Sequence, residues 1–336
     1  MLVVRPAQSS DLDDLIRLAK KAGKGLTSLP DDRAAMTSKI EGSVASFSRE
    51  ARSDSDHFLF VLEDISCAKV VGTAAIFVRT GARQAFYAYR VQKMVKHSHC
   101  LDMQVEDFLL QLTNDYSGCS EVGTLFLDPE YRGNGRLLTK TRYLFMGLFQ
   151  SRFENEVIAE MRGWNDSSGN TPFWEAIGRK FFKMSFEEAD RLCGVGTNQF
   201  ITELMPRFPI YGSLLSSEAC ECIGKPHDDG VAAKVLLERE GFDFEGVVDI
   251  FDGGPMLRAK VENLKTVQRS REFRVTDIEA EGAKEAMLIS NGSFKNFRVI
   301  CAPLATATAS GIYMPDPVKE ALSVTGGQSV FVTPYK

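Results

Sequence analysis

The sequence predicts a mixed α+β fold with a small β-rich extension at its C-terminal end. Apolar residues near the N-terminus recur at helical spacing, and β-branched runs with strand-like spacing follow them. Further on, a strand-like run leads through a Gly- and Arg-rich loop into a long helical pattern. The last part of the chain carries short strand-like runs separated by turn residues.

The N-terminal region is predicted to form a strand, two helices and a hairpin. Residues 2–5 are a β-branched run that Pro6 ends, and Ser10 is placed to cap a helix that stops at Gly23. A second helix is predicted over residues 32–50. HFLFVLED and KVVGTAAIFV then form two apolar runs joined by a polar connection, which is typical of a β-hairpin.

In the middle of the chain, segments with strand-like spacing of apolar residues alternate with segments that have helical spacing. AFYAYRVQKMV, EVGTLFLD and NEVIAEMRG favour strands, whereas VEDFLLQLTNDY is compatible with a helix or a strand. RLLTKTRYLFMGLFQSRF and TPFWEAIGRKFF favour helices, the second with a proline near its first turn. The aromatic residues of TPFWEAIGRKFF are expected in the core rather than on a substrate platform.

The C-terminal third repeats this alternation and then becomes β-rich. QFITELMP and GVVDIFDGGP are predicted strands, and PIYGSLLSSEACECIG and VAAKVLLEREGF are predicted helices. MLISNG, FRVICAP and QSVFVTP are strand-like. We therefore expect an N-terminal unit over residues 1–193, a second unit over 194–272 and an extension over 273–336.

Composition excludes several classes of protein. The 336 residues are 44% hydrophobic and 25% charged, and the formal net charge of -5 predicts no nucleic-acid surface. No apolar run approaches the ~20 residues of a membrane span. Seven scattered cysteines without a C-x-x-C pair indicate reduced thiols and a cytoplasmic protein. Because His97, His99 and Cys100 could not all reach one ion from a regular strand, we expect no metal site.

The loop after EVGTLFLD is the most informative feature of the sequence. Gly133, Asn134 and Gly135 allow successive backbone N–H groups to converge, and the start of the following helix adds unsatisfied donors. Arg132 and Arg136 contribute full positive charges. This combination predicts pyrophosphate binding. The alternative is an ordinary strand-to-helix turn whose glycines only relieve strain, while Walker and dinucleotide motifs are absent.

The residues around this loop resemble the GNAT superfamily of acyl-CoA N-acyltransferases. In that superfamily an Arg/Gln-x-x-Gly-x-Gly/Ala loop binds the coenzyme A pyrophosphate, and here Leu137 replaces the small last residue. A narrower resemblance covers most of the chain. VVRPAQSSDLDDL, TLFLDPEYRGNGRLL, IAEMRG, PFWEAIGRKFF and DIFDGGP are similar to the arginine N-succinyltransferase family.

The resemblance implies a GNAT-like acyltransferase fold, with two GNAT-like units in tandem, and succinyl transfer from succinyl-CoA to the α-amine of arginine or ornithine. It implies that succinyl-CoA lies along the strand at Leu125 and Leu127 and that the loop from Arg132 to Leu137 holds the cofactor. It also implies that His227, in the second unit, donates a proton. Without the resemblance, His227 reads as a solvated loop residue whose neighbours Asp228 and Asp229 orient the ring or only form a turn.

Substrate binding requires charged partners, because arginine carries a guanidinium and succinate a free carboxylate. The candidates are Arg90, Glu160, Arg162, Asp249 and Asp252, each of which could equally form a structural ion pair. Glu160 is also a candidate general base. A nucleophilic cysteine is not expected, since Cys193, Cys220 and Cys222 have no predicted activating partner.

Two further functions remain open from the sequence. The chain could be a non-catalytic or regulatory subunit of a heteromeric arginine/ornithine succinyltransferase, which the altered last position of the loop would favour. It could also acylate a different amino acid. Small-molecule substrates and a homo- or hetero-oligomer with a related subunit are expected partners.

Overall fold

The structure is a computed structural model that describes residues 1–23, 26–82, 84–166, 169–194, 199–278, 284–305 and 311–336. The chain forms two compact units, each assembled from segments that are distant in sequence. The first comprises Met1–Val78, Val122–Asn155 and Lys260–Lys336, and the second comprises Arg79–Glu121 and Glu156–Ala259. The sequence-based division at residues 193 and 272 stays a prediction.

The strands are β1 Leu2–Pro6, β2 His57–Asp64, β3 Lys69–Phe77, β4 Ala88–Ser98, β5 Met103–Thr113, β6 Ser120–Leu127, β7 Glu156–Glu160, β8 Ile210–Tyr211, β9 Asp243–Asp249, β10 Pro255–Lys260, β11 Arg271–Thr276, β12 Lys284–Ser290, β13 Val299–Ala305, β14 Ile312–Tyr313 and β15 Ser329–Pro334. The helices are α1 Leu12–Ala22, α2 Arg33–Ser48, α3 Gly135–Leu148, α4 Pro172–Ala176, α5 Gly178–Phe182, α6 Phe186–Gly194, α7 Gln199–Leu204, α8 Ser217–Cys222, α9 Val231–Glu240, α10 Lys265–Arg269 and α11 Asp316–Leu322. Short 3₁₀ turns join several of these elements.

In the first unit the strands follow the order β14-β11-β15-β12-β13-β1-β2-β3-β6. The β-rich C-terminal strands continue this sheet, because β13 pairs antiparallel with β1 through Val3↔Ile300 and Val4↔Val299. Val3 accordingly packs in the same apolar cluster as Ile289, Ile300 and Val332. The C-terminal extension therefore shares a core with the N-terminal strand.

Helices α1 and α2 pack on the sheet of the first unit through their buried residues. Leu15, Leu18 and Ala19 are buried on one face of α1, and Gly23 ends the helix with φ +71°. The predicted cap at Ser10 is wrong. Ser10 lies inside a 3₁₀ turn that precedes α1, and the Asp11 carboxylate accepts from the backbone N–H of Gln8 at 2.8 Å.

In the second unit the strand order is β7-β10-β9-β4-β5-β8, and Ser120 and Glu121 of β6 pair in parallel with β7. VEDFLLQLTNDY is a strand, since β5 pairs with β4 along its whole length. The apolar faces of these strands bury Tyr89, Leu110 and Val248 against helix α4. As predicted, the α4–α5 aromatic residues Phe173, Trp174 and Phe182 are core residues, whereas Phe181, also predicted in the core, is 38% exposed.

Three predicted elements of the second unit need correction. QFITELMP forms helix α7 rather than a strand, because Ile201 and Met205 lie four residues apart on one helical face and both are buried. PIYGSLLSSEACECIG contains strand β8, and its helix is shorter than predicted. That helix, α8, starts where Ser216 accepts from the N–H of Ala219 at 3.3 Å. The α4–α5 region is two short helices that meet at Ile177.

The fold class is confirmed as α+β with a β-rich C-terminal region. Among the described residues, helix α3 is longer than most and follows β6 directly through the Gly- and Arg-rich loop. In the part of the chain that the structure describes, no helix has the length and apolarity to cross a bilayer.

Candidate active site

The Gly- and Arg-rich loop of the first unit is anchored at its start by a buried carboxylate. Asp128 is fully buried and accepts hydrogen bonds from Arg17 at 2.9 Å and from Lys21 at 2.8 Å. Burial works to raise the pKa of Asp128, but the bonds from Lys21, the Glu130 amide and Arg17 outweigh it and hold the pKa below its usual value. The strand-to-loop junction is therefore fixed by charge pairing that the sequence did not reveal.

Beyond this anchor the loop is open to solvent. Gly133 has φ +98°, a conformation that favours glycine, and a Cβ built at Gly133 or Gly135 would meet nothing within 4 Å. Helix α3 begins at Gly135 and runs for 14 residues, so its first-turn amides and its positive dipole end face this space. Arg132 is exposed and Arg136 is half-buried beside them. Such a surface suits an anion of the size of a diphosphate.

Leu137, which departs from the GNAT loop pattern, does not obstruct the loop. Its side chain is 2% exposed and belongs to the interior of the first unit. Its backbone amide donates to the Asn134 carbonyl at 3.0 Å, and the phenol of Tyr335 lies near this amide. The guanidinium of Arg136 lies 5.9 Å from the centroid of the Tyr335 ring. Tyr335 comes from the C-terminal extension, and no sequence motif pointed to it.

Strand β6 is distorted where the resemblance places the acyl chain. Thr124 has φ +52° and is 2% exposed, which is unusual for a β-branched residue. A left-handed residue inside a strand redirects the neighbouring peptide groups, as a β-bulge does. Leu125 follows it and is half-buried, and the Leu127 side chain lies against Gly72 of β3. The left-handed Thr124 therefore interrupts the regular strand conformation immediately before Leu125.

The second unit brings His227 to the segment that follows β7. The His227 amide donates to the Arg162 carbonyl at 2.8 Å, and the Trp164 amide donates to the Lys225 carbonyl at 3.1 Å. Gly163 forms an isolated antiparallel bridge with Pro226. The loop that carries His227 is therefore held beside Arg162 by backbone hydrogen bonds. The Arg162 side chain is exposed.

The imidazole of His227 is held in one tautomer. Its Nδ1 accepts from the Asp229 amide at 3.2 Å and lies 3.6 Å from the Asp229 carboxylate, and its side chain is 22% exposed. Because Nδ1 accepts, the neutral ring carries its proton on Nε2. The backbone of Asp229 thus orients the ring, while its carboxylate is 92% exposed. When the ring is protonated on both nitrogens, the imidazolium can donate a proton from Nε2.

Three of the predicted substrate residues form one chain of carboxyl groups. Glu160 hydrogen-bonds Asp249, and Asp249 hydrogen-bonds Asp252. Burial, and then the charge of Glu160, raise the pKa of Asp249 to about 7. Burial, and then the charge of Asp249, raise the pKa of Asp252 to about 8. Neighbouring carboxylates cannot all ionise, so these groups share protons at neutral pH.

The backbone holds these carboxyl groups in place. Asp252 accepts from Gly163 at 2.7 Å and from Gly254 at 2.8 Å. Asp249 accepts through one oxygen from the amides of Phe251 and Asp252, at 2.7 and 2.9 Å. A Cβ at Gly254 would lie 2.1 Å from the Met161 carbonyl oxygen, so only glycine allows this turn to approach β7. The Gly-Gly turn noted in the sequence therefore positions the acids.

Arg90 lies elsewhere in the second unit. Its guanidinium pairs with Asp115 at 2.8 Å and donates to the Glu245 carbonyl at 3.4 Å. These contacts form a structural ion pair, which the sequence allowed as the alternative to a substrate-binding role for Arg90. The structure thus groups Glu160, Asp249 and Asp252, and holds the Arg162 backbone against His227. A role for any of them in substrate binding stays a prediction.

The remaining reactive groups of the chain are metal-ligating side chains and thiols. Among the described residues, no group of three or more His, Cys, Asp and Glu is arranged to hold a metal ion. Burial raises the pKa of the Cys220 and Cys222 thiols, which is the opposite of what activates a nucleophile. The side chain of Cys193 lies outside the described part of α6.

Comparison with known proteins decides the family. A family model described as "Arginine N-succinyltransferase beta subunit" matches residues 2–266, and the model of its C-terminal domain matches residues 271–334. The chain belongs to the arginine N-succinyltransferase family. It is accordingly an acyltransferase, as the sequence predicted.

Individual members of the arginine N-succinyltransferase family align over almost the whole chain. The arginine N-succinyltransferases of Escherichia coli O6:K15:H31 (strain 536 / UPEC) and of Shigella flexneri are each 40% identical over 331 residues, which is 98% of this chain and 93% of the relative. The solved structure of arginine/ornithine succinyltransferase subunit AI from Pseudomonas aeruginosa superposes with a TM-score of 0.89 at 33% identity, covering 100% of this chain and 99% of that one. The fold and the C-terminal extension are therefore family features.

Proposed function

We propose that this protein transfers the succinyl group of succinyl-CoA to the α-amine of arginine, releasing succinylarginine and coenzyme A. The observation that carries the proposal is the 40% identity to arginine N-succinyltransferases over 98% of the chain. The site geometry supports it, because the first unit offers an open anion-binding loop and the second offers acid–base groups. Ornithine is the alternative acceptor.

The loop from Arg132 to Leu137 holds the diphosphate of succinyl-CoA in this proposal. The open space at Gly133 and Gly135 leaves room for phosphate oxygens near the first-turn amides of α3. Arg132 and Arg136 add charge-assisted bonds. Leu125 and Leu127 then support the pantetheine arm along β6, and the peptide groups redirected at Thr124 polarise the thioester carbonyl.

Proton transfers in the reaction fall to His227 and the carboxyl groups of the second unit. The arginine α-ammonium must lose a proton before it attacks, and Glu160, which hydrogen-bonds Asp249, accepts it. The amine then forms the C–N bond and its nitrogen gives up a second proton to solvent, while the C–S bond breaks as the thiolate leaves. His227 in its imidazolium form donates its Nε2 proton to the thiolate and is reprotonated from solvent.

The remaining charged residues serve the acceptor in this proposal. A guanidinium is bound best by carboxylates, and the partly protonated Asp249 and Asp252 supply negative charge at one place. Arg162, which is exposed beside His227, suits the carboxylate of the acceptor amino acid. Cytoplasmic location and assembly with a second copy or a related subunit complete the proposal.

A coupled assay tests the proposal directly. The purified chain is incubated with succinyl-CoA and either arginine, ornithine or no acceptor, while thiol release and the mass of the acylated amino acid are recorded. We expect acceptor-dependent thiol release with arginine and a product succinylated on its α-amine. Thiol release that is no faster with arginine or ornithine than without acceptor would contradict the proposal. Tight coenzyme A binding without turnover would instead indicate a non-catalytic subunit.

A further inference from the structure

Helix α3 carries a buried arginine that has no counter-charge. Arg142 is 3% exposed, and its Nη1 donates to the Gly123 carbonyl of β6 at 3.3 Å. Its Nε is buried without any hydrogen-bond partner. The other recorded neighbour is Tyr143, whose ring centroid lies 5.8 Å from the guanidinium carbon. Across the ranges that the structure describes, no carboxylate forms an ion pair with Arg142.

A second buried arginine in the same unit shows what a structural guanidinium looks like. Arg152 is 7% exposed and pairs with the fully buried carboxylate of Asp56 at 3.2 Å. It also donates to the carbonyl oxygens of Arg49, Glu50 and Ser46. The Nε of Arg152 likewise lacks an acceptor. Arg152 differs from Arg142 because it has a carboxylate counter-charge and more hydrogen bonds.

The fold therefore keeps a positive charge at Arg142 that no carboxylate among the described residues of the unit neutralises. Burial lowers the pKa of Arg142, yet a guanidinium remains protonated at any physiological pH. Holding such a charge away from water is costly unless a partner compensates it. The Nε edge of a guanidinium matches the two oxygens of a carboxylate, with which it forms parallel hydrogen bonds. The missing partner is thus expected to be a carboxylate.

The position of Arg142 suits the acyl end of the proposed substrate. Gly123, which Arg142 contacts, lies two residues before Leu125, a separation of at most about 7 Å because the left-handed Thr124 lies between them. The three C–C bonds of a succinyl group span about 4 Å from the thioester carbonyl carbon to the free carboxylate carbon. A charge-assisted hydrogen bond adds about 2.8 Å. A thioester at Leu125 therefore places the free carboxylate within reach of Arg142.

We propose that Arg142 binds the free carboxylate of the succinyl group and makes the enzyme selective for a dicarboxylic acyl donor. The inference rests on the proposed function, because it assigns the acyl subsite of the same reaction. Neither Arg90 nor Arg162, which the sequence suggested for this task, lies in the first unit. The bound carboxylate supplies the counter-charge that no described residue of the unit provides.

Acyl selectivity tests the inference. Butyryl-CoA has the shape of succinyl-CoA with a methyl group in place of the carboxylate, so the ratio of kcat/KM for the two donors isolates the charge. We expect Arg142→Met to lower this ratio by about 100-fold, through loss of succinyl-CoA turnover with little change for butyryl-CoA. Arg142→Lys keeps the positive charge but cannot form the two parallel hydrogen bonds of a guanidinium, so it should give an intermediate ratio.

Arg152→Lys is the matched control, because it alters a buried arginine that already has its carboxylate. We expect Arg152→Lys to lower the melting temperature and leave the succinyl-to-butyryl ratio unchanged. A wild-type ratio near one, or an unchanged ratio in folded Arg142→Met or Arg142→Lys protein, would overturn the inference. If wild-type protein shows no acceptor-dependent turnover of either donor, the proposed function itself fails.

Discussion

The two candidate regions of this protein are built in opposite ways. The β6–α3 loop of the first unit is open, its glycine positions face empty space, and its charges are permanent. The His227 region of the second unit is dense with hydrogen bonds, and its carboxyl groups have pKa values of about 7 and 8. One region is thus shaped to receive an anionic ligand, and the other to hold protons near neutral pH.

This difference assigns separate kinetic roles to the two regions. Changes in the loop should alter cofactor affinity and leave the proton-transfer steps intact. Changes around His227 should alter turnover and leave cofactor affinity intact. A loop variant that changes the proton-transfer steps, or a His227-region variant that changes cofactor affinity, would contradict this assignment.

The largest effect is expected from removing the proton donor. His227→Asn keeps a side-chain acceptor for the Asp229 amide, so the local turn should be preserved. Asn cannot donate a proton to the leaving thiolate, and we expect kcat to fall by about 10²–10⁴-fold. Coenzyme A affinity, measured by calorimetry, should stay within twofold of wild type.

His99→Ala provides the control for the loss of a histidine. His99 is exposed at the end of the β4–β5 hairpin, where its ring lies 4.6 Å from that of His97. Its replacement should change neither kcat nor affinity. Wild-type kcat in His227→Asn would contradict the assignment of the second region to proton transfer.

The next largest effect concerns stability and its dependence on pH. Asp249 has a native pKa of about 7 against an unfolded value near 4. Between these values the native state holds a proton that the unfolded state has lost, so the unfolding free energy falls as pH rises from about 4 to 7. Asp249→Asn keeps an oxygen for the Phe251 and Asp252 amides. It also removes the loss of unfolding free energy that comes from ionising the buried carboxyl group at high pH. We expect a gain of about 2 kcal/mol at pH 8.

Urea unfolding at pH 5 and pH 8 measures this gain. The gain should be small at pH 5, where the wild-type carboxyl group is protonated. Asp243→Asn, at an exposed position of the same strand, should change stability by less than 0.5 kcal/mol at either pH. Equal effects of Asp249→Asn at both pH values would show that the carboxyl chain does not hold a native proton.

The two regions also differ in how far the sequence could predict them. The loop is local: Arg132, Gly133, Gly135 and Arg136 are adjacent in the chain, and their spacing alone indicated an anion site. The second region joins Glu160, His227 and Asp249 through a backbone bridge and a glycine turn. Without the family resemblance, no periodicity would have brought these residues together.

What the sequence missed is non-local for the same reason. Tyr335 reaches α3 only because β13 pairs with β1 and β15 follows β12 in the sheet. Arg142 is distinguished by the lack of a carboxylate partner among the described residues, which no sequence pattern can show. Helix α7 was mistaken for a strand because QFITELMP is short and apolar, and a buried short helix and strand share that pattern.

A smaller effect is expected from filling the open space of the loop. Gly135 has a negative φ and its Cβ would meet no atom within 4 Å, so Gly135→Ala fits the folded protein and suits a helix start. The added methyl group points into the space proposed for the diphosphate. We expect KM for succinyl-CoA to rise about tenfold while kcat and the melting temperature are kept.

Gly133→Ala distinguishes crowding from backbone strain. At φ +98° an alanine is strained by about 1–2 kcal/mol, so this variant should lose stability as well as affinity. If Gly135→Ala binds coenzyme A as tightly as wild type, the open space is not a ligand site.

The smallest effect tests whether the C-terminal extension contributes to coenzyme A binding at the loop. Tyr335→Phe keeps the ring beside Arg136 and removes the phenol oxygen that lies near the Leu137 amide. Loss of this polar contact, worth about 0.6 kcal/mol, should weaken coenzyme A binding about threefold, with kcat unchanged. Tyr335→Ala, which also removes the contact with Arg136, should weaken binding further. Tyr313→Phe, in strand β14 of the same extension, should leave affinity as in wild type. An unchanged affinity in both Tyr335 variants would confine the cofactor site to residues 132–137, because the extension would then only complete the sheet.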